Sequence, residues 1–185
     1  MKSVLSHVAL LVPSVEKSAA YLQSMGVETG EPELFEREGT KEIYVGSYEK
    51  QSGLLLLLEA VGDGPYRRAF VKRGATLHHL AIDVLDLSDF TAHAEAAGWD
   101  RHTISATSIF HNSIWLYKKG TPAHIEINQK KTLSTKPAKI SRLEVPIRPD
   151  QELLFAAIGL QDKVIPACGP IILTLDNLKL KFEHI

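Results

Sequence analysis

The segment His7-Val8-Ala9-Leu10-Leu11-Val12 returns 72 residues later as His79-Leu80-Ala81-Ile82-Asp83-Val84. An internal repeat constrains the fold more than any composition can, because each copy must build the same unit. The register holds without gaps: Ser14 falls on Asp86, Ala20 on Ala92 and Gly26 on Gly98. Ser14 and Asp86 are good helix N-caps, since a side-chain oxygen can accept from a free first-turn N–H. Gly26 and Gly98 suit the left-handed turn that ends a helix. Each copy therefore reads as a strand, a cap, a short helix and a glycine stop.

The first copy continues through a charged loop, 31–38, into strand candidates 42–48 and 53–60, joined by the polar turn 49–52. The second continues with strand candidates 103–106, 113–117 and 123–128, with Lys118-Lys119-Gly120-Thr121 as a turn. Both copies read as βαβββ. The intervening stretch, 61–75, contains Pro65, which can start a short helix, and a basic run, Arg67-Arg68…Lys72-Arg73, read as its solvated face.

A polar linker, 130–139, leads to residues 140–185. There a strand, 140–145, precedes a helix, 150–158, and a hairpin about Asp176-Asn177. This βαββ pattern reads equally as a shortened third copy, with Arg142 where the others have histidine, or as an unrelated extension. The expected fold is α+β: paired βαβββ modules (1–60 and 76–129) forming a curled mixed sheet around a cavity, with a C-terminal βαββ-like extension.

Composition narrows the partners. Among 185 residues, 21 Lys and Arg face 22 Asp and Glu, a net charge of −1 that argues against a general nucleic-acid or anionic-membrane binder. Apolar runs such as Leu54–Leu58 fall far below the ~20 residues of a membrane helix. Met1–Ser6 runs directly into a strand, leaving no room for a signal peptide. A lone cysteine, Cys168, can form neither an internal disulfide nor a cysteine-based zinc motif. A cytoplasmic protein acting on a small molecule is expected.

Strand alternation sorts the side chains. Val8, Leu10 and Val12 should pack on the first helix, with His7, Ala9 and Leu11 on the other face. Likewise Leu80, Ile82 and Val84 oppose His79, Ala81 and Asp83, and Ala123, Ile125 and Ile127 oppose His124, Glu126 and Asn128. His7, His79 and Glu126 thus share the face turned away from the helices. Two neutral imidazoles and a carboxylate are a donor set for a divalent transition metal (Zn, Ni, Co, Mn or Fe) with coordination positions left open. His78 reads as the residue leading into its strand, and Trp99 and Trp115 as core or cavity wall.

These features resemble the vicinal oxygen chelate superfamily, which includes glyoxalases, methylmalonyl-CoA epimerases, bleomycin-resistance proteins and extradiol dioxygenases. The resemblance covers Ser3–Gln129. Its most specific stretch, Leu56-Leu57-Leu58-Glu59-Ala60-Val61-Gly62, Gly64-Pro65 and Leu77-His78-His79-Leu80-Ala81-Ile82-Asp83-Val84, is similar to the epimerases, as is Ala123-His124-Ile125-Glu126-Ile127-Asn128-Gln129.

The resemblance implies metal ligands at His7, His79 and Glu126. A fourth, usually Glu or Gln, falls on Leu56, which cannot bind a metal. Glu59 is three residues away and, in a regular strand, faces the other side. The implied activity is a metal-dependent isomerase or lyase that stabilises the enolate of a small acyl-CoA or 2-oxo substrate. Glu126 is the candidate catalytic carboxylate. Glu38 and Glu42 are further candidates for a base, set against their reading as a solvated charged loop, which is preferred on sequence alone. The three donors also fit an Fe(II) extradiol-type dioxygenase, for which His111, His124, Tyr44 and Tyr117 could assist. The leucine equally suits a non-catalytic binding or resistance protein. Family members often pair, so a homodimer is expected.

Overall fold

A computed structural model describes residues 2–106 and 112–185. The first module contains β1 (Ser3–Leu11), α1 (Val15–Ser24), β2 (Glu33–Phe35), β3 (Thr40–Val45) and β4 (Leu54–Ala60). After the linking helix α2 (Pro65–Arg73), the second contains β5 (Thr76–Val84), α3 (Leu87–Ala96), β6 (Asp100–Arg101), β7 (Ser113–Tyr117) and β8 (His124–Gln129). The expected caps are in place. Ser14 Oγ accepts from Lys17 N at 3.3 Å, Asp86 Oδ1 accepts from Asp89 N at 2.9 Å, and Gly26 and Gly98 follow the helices at φ 80° and 109°.

The modules join into one eight-stranded sheet in the order β2-β3-β4-β1-β5-β8-β7-β6. It reads alike from either end. In each module the first strand runs parallel to the last, and β1 and β5 meet antiparallel at the centre. Each face has its own apolar cluster. Val8, Leu10 and Val12 pack with Val15, Ala19 and Leu22 of α1 and with Leu80, Ile82, Phe90 and Ala94 in the main core. Ala9, Leu11, Leu56 and Leu58 form a smaller cluster on the opposite face, lidded by Tyr66, Ala69 and Phe70 of α2. The basic residues of α2 stay exposed, as its solvated face requires.

Two local expectations are corrected. Residues 103–106 form a 3-10 turn rather than a strand, and the strand of that region is the two-residue β6. Ser105 explains the exchange: its hydroxyl accepts from Trp115 N at 2.8 Å and donates to Trp115 O at 3.1 Å, taking the place of a paired backbone. The charged stretch 31–38 contains β2, an exposed edge strand with no buried face to mark it.

The extension contains β9 (Ile140–Val145), α4 (Pro149–Ala157), β10 (Val164–Pro166), β11 (Ile172–Leu175) and β12 (Leu178–Lys181). It has one strand, β10, more than the sequence suggested. Its order, β10-β9-β11-β12, puts the first strand inside the sheet, whereas in the modules that strand lies at the module's end. Arg142 is exposed and pairs with Glu144 at 3.2 Å, far from any histidine role. The extension packs on the helical face and shares the main core through Ile140, Leu143, Phe155, Ile158 and Leu173. Trp99 Nε1 donates to Leu154 O at 2.9 Å, and its ring meets Phe155 edge-on at 5.5 Å. Among the described residues, no helix is long and apolar enough to cross a membrane.

Candidate metal centre

His7 and His79 come from the two central strands, and each is placed by a β-bulge. Along β1–β5 the register slips between Leu5 and His7, and again between Ala9 and Leu10. The extra residues are Ser6 in β1 and His78 in β5. A bulge turns two successive side chains toward the same face of a strand. Core membership shows it: Leu5 and Val8 are in the main core, as are Leu77 and Leu80, so Ser6-His7 and His78-His79 both face away from the helices. The two bulges fall at equivalent places of the repeat.

Across the seam, His7 Nε2 lies 3.0 Å from His79 Nε2, and Glu126 Oε2 is 3.7 Å from each. Three potential ligand atoms converge, one from each residue. Their other nitrogens are tethered. His7 Nδ1 is 3.2 Å from the Tyr48 hydroxyl, and His79 Nδ1 is 2.8 Å from His78 Nδ1. A cation taking both Nε2 lone pairs would leave each proton on Nδ1, facing Tyr48 and His78. Without one, the 3.0 Å contact between the two Nε2 atoms requires a proton on one of them.

Burial sets the charge states. It drives the His7 imidazole down to about pKa 3, with Lys130 adding to the effect, and holds His79 well below its usual value. Burial lifts Glu126 up to about 7. His7 and Glu126 are therefore not a conventional ion pair, because burial disfavours charge on both partners. Neutral imidazoles are the form that binds metal. A divalent ion holding two imidazole nitrogens at about 2.1 Å keeps them about 3 Å apart when they sit at right angles, which matches the observed separation. Donor set and spacing both fit such an ion.

The triad lies in a cavity of about 560 Å³ whose walls include Tyr44, Leu56, Leu58, Tyr66, Trp115 and Glu42. Leu56 lies across from Ala9 in the parallel β1–β4 pair, as Glu126 lies across from Ala81 in β5–β8. Leu56 thus occupies the place in the first module that Glu126 occupies in the second. Glu59 does face away: its Oε2 accepts from Val15 N at 3.0 Å, at the start of α1.

The solvated-loop reading of Glu42 is corrected. Glu42 is only 8% exposed, lines the cavity, accepts from Thr40 Oγ1 at 2.8 Å, and is pushed up to about 7 by burial. Glu38 also lines the cavity and accepts from the Tyr66 hydroxyl at 3.4 Å.

Compared by sequence, the chain matches no protein-family model and no curated protein. Solved structures do match it. A hypothetical protein from Bacillus halodurans superposes with a TM-score of 0.58 at 19% identity, covering 74% of this chain and 100% of that one. The methylmalonyl-CoA epimerase of Mycobacterium tuberculosis gives 0.53 at 19% identity, over 68% of this chain and 87% of that one. The Streptomyces coelicolor epimerase variant in complex with 2-nitronate-propionyl-CoA gives 0.51 at 15% identity, over 68% and 96%. The chain has the fold of the methylmalonyl-CoA epimerases.

On that epimerase fold, Trp99 is core and Trp115 is cavity wall, its ring 4.9 Å from His79, as both were expected to be. Tyr44 stands edge-on to His7 at 5.9 Å. Tyr117 instead packs on His102, and both Tyr117 and His124 line a second pocket with Arg73, Asp100 and Lys119. His111 lies outside the described residues. Sequence reasoning missed Tyr48 and His78 as tethers of the imidazoles. For His78 a signal exists: Leu77 and Leu80 cannot both face the core of a regular strand.

Proposed function

We propose that the protein is a metal-dependent isomerase or lyase of the glyoxalase and epimerase type, acting on a small acyl thioester or 2-oxo compound. The observation that carries this is the meeting of His7, His79 and Glu126 in a cavity that also holds the buried carboxyl of Glu42. A divalent cation held by those three residues would act as a Lewis acid toward the substrate carbonyl, favouring loss of the neighbouring proton. Glu42, with a pKa near 7, is suited to take that proton near neutral pH. Glu126 has a similar pKa. Its second carboxylate oxygen is the candidate for proton transfer on the other face. Tyr66, Leu56 and Leu58 supply the apolar part of the cavity wall. A homodimer belongs to the same proposal and is read by mass in solution.

The experiment is metal content of protein purified without chelator, beside His7→Ala and His79→Ala. About one transition metal per chain, lost in both variants, supports the proposal; exchange of the C2 proton of an acyl-CoA in D₂O then supports the isomerase chemistry. No metal in the parent, even after soaking, overturns it. A second reading rests on the same three donors: two histidines and one carboxylate also suit Fe(II) oxygenase chemistry. Bound iron with oxygen uptake on a catechol would favour it.

A further inference from the structure

His7 and His79 are held by different means, although they occupy equivalent places. In the second module the bulge residue itself, His78, holds the ring of its neighbour. In the first module the equivalent residue is Ser6, and the His7 ring is held instead by Tyr48. Tyr48 lies in the turn between β3 and β4 and is 46% exposed; its ring meets Tyr44 at 5.3 Å, and the backbone of the turn sets where it stands.

That turn is clamped from outside by the linker after β8. Ser52 N donates to Pro137 O at 2.9 Å, Lys139 N to Ser52 O at 2.7 Å, and Ile140 N to Gly53 O at 2.8 Å. Ser52 Oγ donates to Lys136 O at 3.1 Å, and Lys136 Nζ donates to the carbonyl of Tyr48 itself at 2.6 Å. The turn bends at Gly46, φ 99°, where a Cβ would meet Leu54 Cδ2 at 2.8 Å and Lys139 Cγ at 3.4 Å. The linker therefore does more than connect two folded parts.

We propose that the end of the linker, residues 136–139, is a strap that fixes the β3–β4 turn, so that Tyr48, as a positioning residue, holds the His7 imidazole with Nε2 turned into the triad. The proposal rests on the metal-binding reading given above. It makes the linker a contributor to the metal centre without supplying a ligand.

The test compares parent, Tyr48→Phe, and the clamp variant Ser52→Ala with Lys136→Ala. Zn(II) affinity is measured by competition with a chelator, and the His7 and His79 tautomers by nitrogen NMR of the metal-free proteins. Tyr48→Phe should weaken Zn(II) binding about 10- to 100-fold. It should abolish the Nδ1–H preference of His7 and keep the metal-free unfolding midpoint. The clamp variant should show part of both changes. Parental affinity and tautomer in Tyr48→Phe would overturn the role of Tyr48, and parental values in the clamp variant would overturn the strap. A parent that takes up no zinc would sink the metal reading instead, and the His7 tautomer would still decide for or against Tyr48.

Discussion

Leu56 and Glu126 are equivalent by strand register and opposite in chemistry: one lies beside Ala9, the other beside Ala81, and both face the same cavity. The cavity is thus symmetric in backbone and lopsided in donors. Leu56→Gln would place an oxygen donor where the leucine stands. Metal affinity should rise about tenfold or more, about 1.4 kcal/mol, while the metal-free variant should lose about 1–3 kcal/mol, because a buried amide then has no partner. Metal titration and urea unfolding, each with and without metal, read the two effects with opposite signs. Equal affinity in parent and variant would show that the added oxygen does not reach the ion.

Glu59 tests the same geometry from the other face. Its carboxylate accepts from Val15 N at the first turn of α1, where it acts as a supplementary cap. Glu59→Ala should cost about 1 kcal/mol of stability, the usual worth of a helix cap, and leave metal affinity unchanged. A fall in metal content would mean that Glu59, against its orientation here, reaches the triad.

Glu42 should write itself into the pH dependence of the metal-free protein. Its carboxyl is lifted from 4.5 to about 7. Between those values the folded chain holds a proton that the unfolded chain has released, so this group's contribution to stability falls as pH rises from 4.5 to 7. The buried imidazoles act oppositely. His7 and His78 at about 3 and His124 at about 4, against 6.5 unfolded, add stability as pH rises across 3 to 6.5. That slope is common to parent and Glu42→Gln and cancels in their difference. Relative to the parent, Glu42→Gln should gain on the order of 2 kcal/mol between pH 5 and pH 8, by urea midpoints. In the loaded protein the same change should abolish C2 proton exchange, whose rate in the parent should rise through about pH 7.

Phe155 reports on the extension. It is 1% exposed and packs against Trp99 of the second module. Phe155→Ala should cost about 3–5 kcal/mol, a large cavity in a shared core. One cooperative unfolding transition, shifted as a whole, is expected by calorimetry. Two transitions, with only one shifted, would show that the extension folds apart from the modules.

Much of this arrangement is legible in the chain because burial writes a period into it. The alternation Val8, Leu10, Val12 against His7, Ala9, Leu11 survives into two separate apolar clusters, and the caps at Ser14 and Asp86 sit where their side chains require. What escaped reading has no such period. β2 is exposed at every residue, so nothing alternates. Residues 103–106 pair through a serine hydroxyl rather than a backbone, which composition does not distinguish from a strand. Glu42 lies among charged neighbours in the sequence and is buried only because the cavity closes around it, a tertiary effect. Tyr48 and His7 are 41 residues apart and meet through a turn, beyond the reach of any local pattern.

The paired bulges carry one more consequence. Each module contributes a single strand-one imidazole, and the two meet only because β1 and β5 dock along the seam with both register slips satisfied. Neither module alone contains the triad. Capture of a metal ion is therefore a gauge of correct docking: a chain whose halves are each folded but slipped by one residue along the seam would keep its helices and strands and have no grip on the ion.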